Sequence, residues 1–195
     1  DVRVAMLANM NMNYLTSGRA PGRAGNAHQN IVPYQVFAAS DGHLIVTVGN
    51  DSQFVKFCTV AGVPHLAKDS RFRRNADRVR NRDVLIAELE AILRTKPLAF
   101  WVERIDAAGV PCGPINDIGQ ALADPQVAAR GLRIDLAHAL AGHVPMVANP
   151  IKMSATPPTY ELPPPLLGEH TAGVLREYAG VDENQLNALK ARRIV

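Results

Sequence analysis

The side chains best suited to chemistry gather between Ala20 and Tyr34, in the order Ala-Pro-Gly-Arg-Ala-Gly-Asn-Ala-His-Gln-Asn-Ile-Val-Pro-Tyr. A stretch rich in glycine and side-chain amides can bring backbone N–H groups and amide donors up to a carbonyl oxygen or a carboxylate. Its flexibility would also let it close over a bound ester. The same composition serves a plain domain-crossing linker, and both readings stand at this point. A second cluster runs from Arg71 to Arg82 and holds six arginines, Arg71, Arg73, Arg74, Arg78, Arg80 and Arg82. Such density invites phosphate or RNA through counterion release and bidentate guanidinium contacts. Only one aromatic, Phe72, is interleaved, and Asp69, Asp77 and Asp83 partly neutralise the run. A solvated, salt-bridging surface is therefore the expectation, with no nucleic acid bound. A third cluster pairs Glu169 with His170. A carboxylate can orient an imidazole, but neighbours at a helix start point apart, and the helix dipole already accounts for a glutamate there. His43, His65, His138 and His143 lack the spacing of metal ligands, so no metal is expected. No Gly-x-Ser-x-Gly, phosphate-binding loop, Rossmann glycine fingerprint or His-Glu-x-x-His occurs, which leaves a pocket lid without a nucleophile.

The elements that must position these groups follow from periodicity. Met6, Met10 and Tyr14 recur at four-residue spacing, predicting a helix over 2–17 that Gly18 ends, with Pro21 beyond it. The 17 residues from Ser17 to Pro33 exceed an ordinary loop, which marks them as functional or as a linker. Tyr34–Ala38 and His43–Val48 read as two strands joined across Ser40-Asp41-Gly42. Asp51 or Ser52 is placed to cap a helix to about Ala61, with Phe54, Phe57, Cys58 and Ala61 on one face. Two amphipathic helices are expected over 83–94 and 97–108, then a rigid turn at Gly109–Pro114 and a short helix near Asp117–Ala123. Leu132–Leu136 and Val144–Val147 form a second expected hairpin. A tract with five prolines from Thr156 to Leu167 makes an extended arm. Helices over 169–178 and 182–192 close the chain, and the class is α+β.

Composition sets the outer bounds. Hydrophobic residues make up 47% and charged residues 20% of the 195, so a core can be buried and disorder is not expected away from the ends. The net charge of +3 suits an anionic ligand but is weak for nucleic acid. The two cysteines, Cys58 and Cys112, are isolated, which fits a reducing compartment. Apolar runs fall far short of the roughly 18 residues a membrane span needs. A soluble, cytoplasmic protein that does not enter a membrane is the expectation. The chain opens at Asp1 inside a helical pattern and without methionine, as a piece of a longer protein would.

Seven segments in this order resemble class III CoA-transferases of the formyl-CoA transferase and CaiB/BaiF type. They are Gly25-Asn26-Ala27-His28; Pro33-Tyr34-Gln35-Val36-Phe37 leading to Asp41-Gly42; and Gly49-Asn50-Asp51-Ser52-Gln53-Phe54. Next come Arg71-Phe72 with Asn75, Arg78 and Asn81-Arg82, then Ala108-Gly109-Val110-Pro111-Cys112-Gly113-Pro114-Ile115-Asn116. Asp124-Pro125-Gln126-Val127 with Arg130-Gly131, and Pro165-Leu166-Leu167-Gly168-Glu169-His170-Thr171, complete the set.

The resemblance implies the C-terminal half of such an enzyme. It implies a small α/β domain of hairpins and amphipathic helices over 34–153. Residues 1–33 would leave, and 154–195 return to, a larger Rossmann-like domain that lies outside this chain. The loop from Asn26 to Tyr34 falls where the family has a mobile, often glycine-rich segment over the active site. Here that segment is His28-Gln29-Asn30-Ile31, without a glycine run. Asn26, His28, Gln29, Asn30 and Tyr34 are thereby the candidate substrate-binding residues. Implied substrates are coenzyme A, as an acyl-CoA and possibly succinyl-CoA, and a small carboxylic acid. In the family an aspartate attacks the acyl-CoA to give a mixed anhydride, then an aspartyl-CoA thioester. That aspartate would precede Asp1, and no residue here takes its place. Family members are interlocked dimers, so a homodimer or association with the N-terminal half is expected, with apolar faces of the opening and closing helices left bare. An α-methylacyl-CoA racemase-like enzyme and a non-catalytic assembly module are the alternatives.

Overall fold

A computed structural model describes residues 1–195, which divide into two compact units, Asp1–Ile115 and Asn116–Val195. In the first unit, Tyr34–Ala38 (β1) and His43–Thr47 (β2) pair antiparallel, with Val36 opposite Ile45. The Asp41-Gly42 turn is the one expected, and Asp41 Oδ1 also accepts from the Leu98 N–H at 2.6 Å. Cys112–Pro114 (β3) adds a third strand beside β2, with Val46 opposite Cys112. The sequence suggested only a turn there; three residues carry too little alternation to announce a strand.

Four helices follow β2 and carry the core: Asp51–Val60 (α3), Asn75–Arg80 (α4), Arg82–Leu93 (α5) and Leu98–Ala107 (α6). Two precede β1, Val2–Ala5 (α1) and Asn9–Ser17 (α2). Phe37, Leu44, Val46 and Val48 of the β1–β2 hairpin region pack with Phe54, Phe57 and Cys58 of α3, Leu85, Leu89 and Leu93 of α5, and Trp101 and Ile105 of α6. The helical members recur every three or four residues, so each helix turns one stripe inward. Each fully buried large side chain contributes about 1.5–3 kcal/mol by leaving water.

Three details depart from expectation. The cap of α3 is Asn50, whose backbone is extended and whose side chain accepts from Gln53 N–H. Asp51 is already helical, which frees its carboxylate for another use. The arginine-rich run contains a helix, α4, that was read only as surface. The opening helix is broken at Ala8, which has φ 45; neither α1 nor α2 buries a residue, so no packing enforces a continuous helix. Val2, Val4, Met6, Leu7, Met12, Tyr14 and Leu15 are exposed, as expected of these segments.

The second unit holds two short helices, Ile118–Leu122 (α7) and Pro125–Ala129 (α8). A capping box between Asp117 and Gln120 starts the first. Asp124, ahead of Pro125 at the first helical position, starts the second, a start the sequence reading passed over. Arg133–His138 (β4) and Gly142–Val147 (β5) form the expected hairpin. The proline tract takes neither helix nor strand. Thr171–Ala179 (α9) and Glu183–Ala191 (α10) close the chain, the latter with an Asp182/Gln185 capping box. Val174 and Tyr178 of α9 are exposed. No helix in the chain is long and apolar enough to cross a membrane.

Candidate functional site

The loop ahead of β1 is held at both ends by its own backbone. His28 N–H donates to Tyr34 O and Val48 N–H to Pro33 O, both at 2.9 Å, and the Val32–Pro33 peptide is cis. Asn26 Oδ1 accepts from Val36 N–H at 2.9 Å, which satisfies a donor of the edge strand β1. The His28 and Tyr34 rings stack with centroids 5.1 Å apart. His28 Nδ1 accepts from Asn30 N–H at 3.1 Å, so Nε2 is the nitrogen left to carry a proton in the neutral ring. Gln29 Nε2 donates to Gly22 O at 2.9 Å. Asn30 and Asn13 exchange side-chain amide bonds of 2.8 and 3.1 Å.

Of the five candidate residues, His28, Asn30 and Tyr34 thus form one contact group, while Asn26 and Gln29 each hold backbone. His28 Nε2, the Tyr34 hydroxyl and the Asn26 amide nitrogen have no protein partner. They are hydrogen-bond donors of the kind a carbonyl or carboxylate oxygen accepts.

What the sequence did not show is how firmly this loop is clamped by residues far along the chain, in α4 and α5. Asn75 accepts from Val32 N–H at 3.1 Å and donates to Asn30 O at 2.7 Å. Arg78 donates Nε–H to Val32 O at 2.6 Å, Nη1–H to Phe72 O at 3.0 Å and Nη2–H to Asp51 at 2.9 Å. Its guanidinium lies 4.4 Å over the Phe54 ring, a cation–π stack. Arg82 Nη2 donates to His28 O at 2.7 Å and Gln29 O at 2.9 Å. Asp51, released from capping, also accepts from Asn75 N–H at 2.9 Å.

The expectation of a solvated arginine face therefore needs correction. It describes Arg71 with Asp69 and Arg80 with Asp77, whose arginines are 53% and 72% exposed. It does not describe Arg78, which is fully buried. Burial pulls the Arg78 guanidinium below its usual range, and the Asp51 carboxylate pulls it back up. A guanidinium survives there because carbonyls and one carboxylate accept its N–H hydrogen bonds. One signal was available: stepping back from Leu85, Leu89 and Leu93 of α5 by three and then four residues lands on Arg82 and Arg78.

The remaining chemistry-bearing groups stay apart from this site. Burial pushes the Cys58 thiol up to about 12, only partly opposed by the Arg78 charge. Burial, and next the charge of Asp106, raise Cys112. Neither is a reactive thiol. Glu169 Oε2 accepts from Leu166 N–H at 2.7 Å, closing a turn ahead of α9 with no bond to His170.

The chain belongs to CoA-transferase family III, whose model matches residues 1–171. It is 47% identical over 93% of its length to a succinate–glutarate CoA-transferase of Agrobacterium fabrum, covering 46% of that protein. It is 40% identical to an acetyl-CoA:oxalate CoA-transferase of Acetobacter aceti, over 92% of this chain and 45% of the relative. It is 34% identical to the human succinyl-CoA:glutarate CoA-transferase, over 99% of this chain and 44% of that one. A crystal structure of a CaiB/BaiF family protein from Brucella suis matches with a TM-score of 0.75 at 43% identity, over 89% of this chain and 44% of that one. The chain thus spans a little under half the length of these relatives.

Proposed function

We propose that this chain is the C-terminal portion of a CoA-transferase that moves CoA from an acyl-CoA, succinyl-CoA foremost, to a small carboxylic acid. The observation that carries the proposal is the 47% identity over 93% of the chain to a succinate–glutarate CoA-transferase. In the proposed reaction a carboxylate nucleophile, an aspartate that precedes Asp1, attacks the thioester carbonyl and releases CoA thiolate, leaving a mixed anhydride. The thiolate then attacks the aspartyl carbonyl, releases the donor acid and leaves an aspartyl thioester. The acceptor carboxylate attacks the aspartyl thioester and releases CoA thiolate, leaving a second mixed anhydride. The thiolate then attacks the acceptor's carbonyl, forming the new acyl-CoA and freeing the aspartate carboxylate. Each stage holds an anhydride or a thioester, so no step has to make a thioester from an unactivated acid.

This chain's share of the work is binding and orientation. Asn26, His28, Gln29, Asn30 and Tyr34 form the proposed substrate-facing surface. Within it, His28 Nε2–H and the Tyr34 hydroxyl stand free to donate to a substrate oxygen, and Asn30 and Gln29 fix the loop that carries them. Residues 1–33 would leave the larger domain, 34–153 form the small domain, and 154–195 return. The exposed apolar side chains of α1, α2 and α9 support contact with the N-terminal half or with a second copy in a homodimer. The cytosol, where acyl-CoA pools and free thiols coexist, is the proposed setting.

The test is to assay the full-length protein with succinyl-CoA and either glutarate or oxalate, following the new acyl-CoA by mass. CoA transfer is expected, along with a protein-bound thioester that hydroxylamine releases and that vanishes when the nucleophilic aspartate is replaced by asparagine. The 195-residue chain alone should not turn over. Exchange of an α-proton in a 2-methylacyl-CoA without any CoA transfer would overturn the proposal in favour of a racemase.

A further inference from the structure

His28 lies in a loop and is only half-buried, yet it is held at both backbone groups, at one ring nitrogen and on one ring face. Its N–H donates to Tyr34 O at 2.9 Å, and its carbonyl accepts from Arg82 Nη2 at 2.7 Å. The ring stacks on Tyr34 with the planes 18° apart, and Nδ1 accepts from Asn30 N–H at 3.1 Å. That last bond fixes the neutral tautomer, with the proton on Nε2. Ordering a loop side chain this fully costs conformational entropy, and hydrogen bonds open to water offset little of it. What the order does supply is a donor set in direction and tautomer before a substrate arrives.

A histidine in the second hairpin shows what a turn does alone. His138 Nδ1 also accepts backbone N–H groups, from Leu140 at 3.2 Å and Ala141 at 3.1 Å, and both lie within three residues of it. Around His28 the turn is itself held from a distance. Asn30 O accepts from Asn75 Nδ2 at 2.7 Å, across 45 positions of sequence. Asn75 Oδ1 accepts from Val32 N–H at 3.1 Å, and Asn75 N–H donates to Asp51 at 2.9 Å. The Asn75 amide thus grips the peptide units on either side of Ile31, one with its donor and one with its acceptor. These bonds are internal to the first unit and do not depend on what packs against the loop from outside.

We propose that Asn75 is a positioning residue of the transfer reaction: by holding Asn30 it keeps the His28 ring an Nε2–H donor directed at the reacting carbonyl. The inference rests on the CoA-transferase reading and adds to it a residue outside the loop. As the nucleophile adds to the thioester carbonyl, negative charge develops on the oxygen, and Nε2–H donates to it. No proton is transferred, and Asn75 itself touches no substrate.

The test is a double-mutant cycle in the full-length enzyme, with kcat and KM for succinyl-CoA measured in the parent, His28→Ala, Asn75→Ala and the pair. His28→Ala should lower kcat on the order of 100-fold and Asn75→Ala about 10- to 100-fold. KM should move less than about threefold in each. In the His28→Ala background, Asn75→Ala should change kcat less than about threefold, since nothing is left to position. Losses that multiply would overturn the proposal and leave Asn75 a structural support, as would a parental kcat in either single variant. Asn75→Asp serves if Asn75→Ala does not fold. It keeps the acceptor for Val32 N–H, removes the donor to Asn30 O and should show the same loss of kcat; a parental value overturns the proposal. The imidazole nitrogen resonances, recorded at about pH 8 where an ordinary histidine is neutral, read the tautomer directly. In the parent, His28 should be bare at Nδ1 and protonated at Nε2, and Asn75→Asp should show both tautomers. A parent protonated at Nδ1, or a variant with an unchanged spectrum, would overturn the positioning. If the parent transfers no CoA, the CoA-transferase reading fails, and these resonances alone decide whether Asn75 positions His28.

Discussion

Replacing Arg78 with methionine removes the guanidinium while keeping much of its aliphatic volume, so the cost isolates the clamp on the loop. Two buried carbonyls, Val32 O and Phe72 O, lose their donors. Each such loss costs about 1–3 kcal/mol. The stack over Phe54, at 4.4 Å, contributes about 0.5–2 kcal/mol more. The Asp51 contact adds least, because that carboxylate is 53% exposed and a pair open to water contributes about 1 kcal/mol or less. Methionine recovers part of this through packing, so the expected loss is about 3–5 kcal/mol, in line with breaking one side of a buried ionic contact. The chain carries its own reporter: Trp101, the single tryptophan, is buried in the same unit and donates Nε1–H to Leu93 O at 2.7 Å. Urea unfolding followed by its fluorescence should show the midpoint falling by roughly 1–4 M at unchanged slope. Arg78→Lys should recover little, because one ammonium cannot reach three acceptors in a plane. A loss below about 1 kcal/mol would refute the clamp. Asp51→Asn costing as much as Arg78→Met would place the energy in the ion pair and refute the assignment to the carbonyls.

Three further outcomes follow from the same contacts. Asn75→Ala removes the partner of Val32 N–H and Asn30 O, so amide exchange at Val32 should quicken by roughly 10- to 100-fold; unchanged protection there would show that Asn75 does not hold the loop. Cys58, raised from 9.0 to about 12, stays protonated when folded and ionises when unfolded, so its share of stability is present below pH 9 and is lost as pH rises from there towards 12. Alkaline unfolding should therefore be steeper in the parent than in Cys58→Ala, and equal slopes would contradict it. The folded thiol should also resist a disulfide reagent at pH 8, while unfolding in urea should expose two thiols, Cys58 and Cys112.

Much of the fold was legible because its signals are local. The Asp41-Gly42 turn between two β-rich runs, the stripe of Phe54, Phe57 and Cys58, and the repeats of Leu85, Leu89 and Leu93 each declare an element within a dozen residues. Short elements without a repeat escaped: β3 exists because β2 offers it an edge, and α8 because Asp124 and Pro125 start a single turn and a half. The cap of α3 was misplaced by one residue for a related reason. Asn50, Asp51 and Ser52 are all good caps by type, and tertiary demand on Asp51 decided among them.

The candidate site divides along the same line. The loop from Asn26 to Tyr34 stood out by composition, and nothing in it reveals that residues 43 to 54 positions away in sequence hold it. Composition argued for a mobile segment; the bonds from Asn75, Arg78 and Arg82 argue for a preset one. A preset loop changes the chemistry expected of it, because donors already fixed by the fold need no ordering when a substrate arrives. The arginine run makes the point residue by residue. Arg71 and Arg80 pair with aspartates in water, Arg78 is buried to hold the loop, and Arg82 donates to the loop carbonyls of His28 and Gln29. Net charge averages these fates away. Helical phase separates Arg80, which falls opposite the buried leucine stripe, from Arg78 and Arg82 on its extension; Arg71 is in phase with Leu89 but lies in a turn ahead of α4, where no helix carries it inward. A charged run that continues a core stripe is therefore better read as support for whatever backbone lies opposite it, and here that backbone is the proposed substrate loop.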